Sequence, residues 1–183
     1  ALSYVTHSRG LGKELCLRFL TNKRYISYYN MLRKGSIIDF DNIFSEIPKL
    51  ISEMGIYDCP TLNKDKNMVI AATDCKTGEA VYVSNKDNLD IYTAIRASAS
   101  MPFITKKVNL KGLELLDGGI ADPIPIQRAI SDGNNKNIVI LTNHQDYMQQ
   151  PFKYPYLAGK IYSKNKRLVD LILNNHERCH DSL

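Results

Sequence analysis

The sequence predicts a mixed α/β protein, built on an open sheet that is covered by helices. Three observations carry this expectation. "NMVIAATDCKTGEAVYVS" reads as two β-rich arms around a turn. Between residues 113 and 142 a strand, a glycine turn, a helix start and a second strand follow one another, the order of a βαβ-like unit. The last of these, "KNIVILT" (136–142), is short and apolar throughout, as expected of a strand in a parallel sheet buried on both faces.

Taken in order, residues 1–34 read as helical, interrupted by Gly10 and Gly12. "SIIDFDNIFSEIPKLI" places Ile38, Ile43, Phe44 and Ile47 at helical spacing, with Asp39 or Asp41 as N-cap. Met68 to Ala72 form a strand ending in Thr73-Asp74, Lys76–Gly78 turn the chain, and Ala80 to Val83 form the second arm. "NLDIYTAIRASAS" reads as a helix capped at or near Asn88 and ending before Met101-Pro102. "KKVNLKGLELLDGG" is a hairpin about Lys111-Gly112 whose second arm delivers Asp117. Asp122 then caps a helix with Pro123 in its first turn, where a missing N–H costs nothing, and that helix stops at Gly133. A C-terminal helix over about 157–178 closes the fold.

Composition narrows the function classes. The chain has 183 residues, enough for one sizeable core. Its 44% hydrophobic and 23% charged residues suit a globular protein. No apolar run approaches the roughly 18 residues of a membrane span. With 24 Lys and Arg against 19 Asp and Glu, the net charge is +5, spread along the chain without a basic tract. Nucleic-acid binding is therefore not expected. A solvated surface or attraction to anionic lipid and substrate groups accounts for the charge. Cys16, Cys59, Cys75 and Cys179 contain no CxxC pair, so neither a zinc site nor a compact disulfide framework is expected, and a reducing cytoplasm is.

Chemistry concentrates in "ELLDGGIADPIP" (114–125). A carboxylate at the end of a strand lies where ligands gather in open α/β sheets. The glycines that follow permit positive φ and close approach of another turn. Asp117 is thus a candidate general base, although Asp-Gly is also an ordinary turn dipeptide. Asp74 closes a strand, where such a residue commonly binds turn amides. Ser98 and Ser100 end a helix and read as close-packing residues rather than nucleophiles. His176 and His180 share a helical face at i, i+4, but with no third ligand they read as a solvated face; no metal or cofactor is expected.

"ASASMPFITKKVNLKGLELLDGGIADPIPIQRAISDG" resembles the second half of a patatin-like phospholipase domain. In that family an A-S-x-x-x-P segment, a hairpin, D-G-G/A and a Pro-rich helix start surround the catalytic aspartate. "VIAATDCKTGEAVYVS" is similar to the family's strand–turn–strand ending in A-T-D, and "RYISYYNMLRKGSIIDFDNIFSEIPKL" resembles the bacterial branch. The resemblance implies a three-layer α/β/α sheet in a single domain over residues 1–183, truncated at its N-terminus. It also implies that Asp117 is the aspartate of a Ser–Asp dyad, with Gly118 and Gly119 completing the DGG motif. A serine hydroxyl needs an adjacent base, and here a carboxylate serves without an orienting histidine.

The family's Gly-rich oxyanion loop and G-x-S-x-G elbow have no counterpart in this sequence. "THSRG" places Thr6 where the elbow's first glycine belongs, so Ser8 is a poor nucleophile candidate. The sequence therefore reads as a fragment that starts just after the nucleophile and is inactive alone, with an exposed strand edge prone to aggregation. The parent activity implied is hydrolysis of a phospholipid or other fatty-acyl ester, with peripheral contact to a membrane surface left open. The alternative is a catalytically inactive, lipid-binding or structural remnant of the same fold.

Overall fold

A computed structural model of the chain describes residues 13–14, 16–53, 67–141 and 150–177. A short π-helical turn, Cys16–Leu20, is followed by α1 (Tyr28–Lys34) and α2 (Phe40–Glu53). Strands β1 (Val69–Asp74) and β2 (Ala80–Ser84) lead to α3 (Ile91–Ser98), and then to β3 (Val108–Leu110) and β4 (Leu113–Asp117). A single 3-10 turn, Gly118–Ile120, precedes α4 (Ile126–Ser131), α5 (Pro155–Ile161) and α6 (Lys166–Leu173). Ser8 lies outside the described residues, as do Cys59, Cys179 and His180. Of the expected helical stretch 1–34, the described part is broken between Leu20 and Tyr28, because Ser27 takes an extended backbone and starts α1 by accepting from the Tyr29 N–H at 3.1 Å.

The four strands are ordered β2-β1-β4-β3 and every pairing is antiparallel. Alternation along β4 explains how one short strand serves two cores. Leu115 packs with Ala72, Val83 and the α3 residues Ala94 and Ala97 on one face. Leu116 packs with Ala158, Leu168 and Ile172 of α5 and α6 on the other. The sheet is thus the middle layer of a mixed α/β fold, with both leucines fully buried. A separate cluster holds α2, whose Ile43, Ile47 and Leu50 recur at helical spacing against Phe19 and Tyr25.

Local chemistry explains the element ends. Asp39, not Asp41, caps α2: its Oδ1 accepts from the Asn42 N–H at 3.4 Å, and its Oδ2 from the Asn42 amide at 2.6 Å. Burial alone would raise the Asp39 carboxyl, but the bonds from Lys34 and Asn42 outweigh it and hold it below its ordinary value. Asp90, two residues past the expected Asn88, caps α3 by accepting from the Tyr92 N–H at 3.0 Å. The β3–β4 hairpin turns on Lys111 and Gly112 as expected, with φ of 48° and 86° at its two central positions. Those angles match the twist of a two-residue hairpin.

Three further expectations fail for identifiable reasons. The stretch 136–141 forms no strand: Ile138 and Ile140 are 92% and 87% exposed, and no ladder reaches them. An apolar run has no preference for strand over coil unless a neighbouring strand pairs with it, so the parallel sheet expected there is not seen among the described residues. The helix after the glycines starts at Ile126, because the Asp122 carboxylate is taken by the Tyr82 hydroxyl instead of capping. The C-terminal helix is two helices, broken at Tyr162–Asn165, where the Asn165 side chain accepts from the Leu168 N–H at 3.0 Å and starts α6. Among the described residues no helix is long and apolar enough to cross a membrane.

Candidate active site around the Gly118-Gly119 turn

Asp117 is held at the end of β4 by its own backbone. Its register partner is Ala72 of β1, its N–H donates to the Ser100 carbonyl at 2.8 Å, and its carbonyl accepts from the Thr73 hydroxyl at 2.7 Å. Thr73 Oγ1 in turn accepts from the Ala121 N–H at 3.1 Å, tying the chain on both sides of the glycines to β1. Only the carboxylate is left to face outward.

The glycines are required by proximity, and neither has a positive φ. A Cβ on Gly118 would lie 2.5 Å from the Ala71 carbonyl carbon and 2.8 Å from the Ala71 Cβ, inside any real contact. A Cβ on Gly119 would lie 3.1 Å from Asp117 Oδ1. Gly118 therefore lets β4 end against β1, and Gly119 leaves room for the carboxylate. The left-handed backbone expected at this turn is absent; close approach is the physical reason for both residues.

The Gly119 N–H donates to Asp117 Oδ1 at 2.7 Å, which fixes the carboxylate in one orientation. Burial raises the Asp117 carboxyl above its ordinary value, and the Gly119 bond draws it partly back. Asp117 faces a cavity of about 410 Å³ whose walls include Phe103, Ile104, Ile120, Phe152 and Ile172. A second apolar cavity, of about 450 Å³, lies across the same turn and shares Gly119 and Pro123 with the first. An oriented, partly desolvated carboxylate beside apolar space is suited to taking a proton from a hydroxyl held over that space.

The other singled-out residues separate cleanly. Ser100 is fully buried; its hydroxyl donates to the Arg96 carbonyl at 2.8 Å, so its part is to position Asp117 through its backbone. Ser98 lines the second cavity. Asp74 accepts from the Lys76 N–H at 2.8 Å and the Thr77 hydroxyl at 3.0 Å and belongs to the turn between β1 and β2. His176 lines the Asp117 cavity, with Nδ1 3.1 Å from the Leu173 carbonyl. Among the described residues no three His, Cys, Asp or Glu side chains gather into a metal-binding group.

Sequence reasoning missed Thr73 and Phe103. Thr73 carries a signal, the Thr of "ATD", but its bond crosses to a strand 44 residues away. Phe103 has φ of 68°, rare for a bulky residue, and is held there by stacking on Phe152 at 4.8 Å and an edge contact with Tyr162 at 5.5 Å. No local pattern announces that conformation.

Comparison with known proteins gives this geometry a context. A family model described as patatin-like phospholipase matches residues 1–130, a stretch that contains β1 to β4 and the Gly118-Gly119 turn. Uncharacterized protein YjjU of Escherichia coli (strain K12) is 27% identical over 159 residues, which is 82% of this chain and 43% of that protein. The chain thus spans less than half the length of that relative.

Proposed function

Because the chain belongs to the patatin-like phospholipase family, we propose that it carries the general-base half of a lipid acyl hydrolase, with Asp117 as the base of a Ser–Asp dyad. The observation that carries the reading is the oriented Asp117 carboxylate lining a largely apolar cavity. The cavity walls take the acyl chain and hold the ester carbonyl near the carboxylate. The nucleophilic serine is supplied from outside these 183 residues, in a single patatin-like domain of which this chain is the C-terminal part. The serine Oγ bonds to the ester carbonyl carbon and its proton passes to Asp117. The alcohol or lysolipid leaves, taking that proton, and an acyl-serine remains. Water then attacks the acyl carbon, gives its proton to Asp117, and the serine is restored as the fatty acid departs.

Asp117→Asn in the protein that includes the serine segment tests this directly. The Asn side-chain oxygen can still accept from Gly119, so the fold is kept while the base is lost. Hydrolysis of a p-nitrophenyl acyl ester should fall by about 10²–10⁴-fold, the range for a general base. Wild-type turnover should also decline toward acid as Asp117 is protonated, at a pH above that of an exposed aspartate, because burial raises its carboxyl. Protonated Asp117 is the form that burial favours, so its stabilising contribution is present at low pH and lost as pH rises through the raised value. Asp117→Asn should therefore melt no lower than wild type at pH 7. Full turnover by the variant overturns the assignment of Asp117 as the base, whereas absence of turnover in the wild-type protein favours the non-catalytic remnant.

A further inference from the structure

Helix α1 is built the wrong way round for a helix packed on its own protein. Its sequence, "YYNMLRK", buries one residue, the polar Asn30, whose amide donates to the Arg24 carbonyl at 3.1 Å. Its apolar side chains face outward: Tyr28 is 84% exposed, Leu32 87%, Tyr29 63% and Met31 41%. At 3.6 residues per turn these four share an arc of about 160°, and Arg33 and Lys34 stand on either side of it. A solvated helix face normally carries the opposite pattern, so this arc is made to be covered.

The charge around the arc says by what. Residues 16–38 contain five cations, Arg18, Lys23, Arg24, Arg33 and Lys34, and no Asp or Glu. The nearest carboxylates that follow or pack there are committed: Asp39 to Lys34, Asp41 to Arg96, Glu53 to Arg18, and Glu46 to the Tyr25 hydroxyl. Lys23, Arg24 and Arg33 pair with no carboxylate among the described residues; Arg24 and Arg33 lie over the rings of Tyr25 and Tyr29. An apolar arc of tyrosine, leucine and methionine flanked by Arg33, in a segment where Lys23, Arg24 and Arg33 have no carboxylate partner among the described residues, is complementary to the headgroup boundary of an anionic lipid surface. A second copy of the same face would bring cations against cations, and that is unfavourable.

We propose that α1 is an interfacial docking helix that seats this face on anionic lipid. The helix is also fastened to the candidate site. The Ile37 N–H donates to the Ile104 carbonyl at 2.8 Å, and the Ser36 hydroxyl to the same oxygen at 3.2 Å. Ile104 and Phe103 form the wall of the Asp117 cavity. Docking through Tyr28 and Leu32 brings the lipid surface alongside that wall. The surface itself does not depend on the hydrolase reading, and binding is measured without turnover.

The test is co-sedimentation of the protein that includes the serine segment with 100 nm vesicles of phosphatidylcholine alone and of phosphatidylcholine with 30% phosphatidylglycerol. It should bind the anionic vesicles at least about tenfold more tightly, since each cation near a charged leaflet contributes about fivefold. That preference should collapse in 0.5 M salt. Tyr28→Ser with Leu32→Ser should lose at least about tenfold in affinity by removing the apolar anchors. Lys23→Gln with Arg33→Gln should remove most of the difference between the two vesicle types. All four side chains are exposed, so both variants should melt with the wild type; circular dichroism checks this. Equal binding to both vesicle types overturns the proposal, as does undiminished binding by the serine pair. Sedimentation equilibrium showing a dimer that the serine pair dissociates, without vesicle binding, overturns it in favour of a second copy.

Discussion

Replacing Gly118 with alanine tests the geometric account of the site at one atom. The added Cβ would sit 2.5 Å from the Ala71 carbonyl carbon, whereas unstrained carbon atoms stay roughly 3.5–4.0 Å apart. The neighbour is backbone in the middle of β1, so no rotamer change relieves the overlap. β1 and β4 must separate by about 1 Å at this end of their ladder, next to the Ala72–Asp117 pair. Overpacking of this kind costs about 3 kcal/mol at the upper end of its usual range. For a chain of this size that is a fall of roughly 6–12 °C in melting temperature. Two controls separate this cause from glycine's backbone freedom. Gly112→Ala meets nothing within 4 Å but stands at φ of 86°, so it should cost about 1–2 kcal/mol and leave the site alone. Gly119→Ala should stay near wild type in stability while displacing the carboxylate, because its Cβ meets Asp117 Oδ1 at 3.1 Å and no backbone. Thermal melts followed by circular dichroism rank the three. A Gly118→Ala variant that melts within 1 °C of wild type would refute the close-approach argument.

Two further outcomes follow from buried groups. Thr73→Val keeps the shape but removes the hydroxyl that ties the Asp117 carbonyl to Ala121, and should cost about 1 kcal/mol in urea unfolding; an unchanged midpoint would mean the bridge contributes nothing. Burial pushes the Cys75 thiol up to about 11, so at pH 8 it stays protonated and iodoacetamide should leave it intact while alkylating exposed Cys16. Modification of Cys75 at the Cys16 rate in the folded protein would contradict the burial.

Much of the fold was legible because it is written in short-range terms. The β1–β2 arms, the Lys111-Gly112 hairpin and the Ile43–Ile47 stripe of α2 each depend on residues within a few positions of one another. Asp117 and its two glycines stood out for the same reason. The apolar run 136–141 shows where that reasoning stops. Its residues suit a buried strand, yet strand formation is decided by a partner's backbone, and among the described residues none pairs with it.

The sequence by itself determined the mixed α/β class, the family resemblance and the identity of the outward carboxylate. The tertiary structure alone decided what surrounds it. Thr73 reaches Asp117 across 44 residues, and Gly118 is forced by an Ala71 backbone 47 positions away. Phe103 takes a strained backbone because Phe152 stacks on it. The polarity of α1 is likewise a tertiary matter: "YYNMLRK" has an apolar arc whichever way it turns, and only the packing of Asn30 shows that the arc faces out. Local pattern records which side chains share a face; which face the rest of the molecule covers depends on contacts made far along the chain.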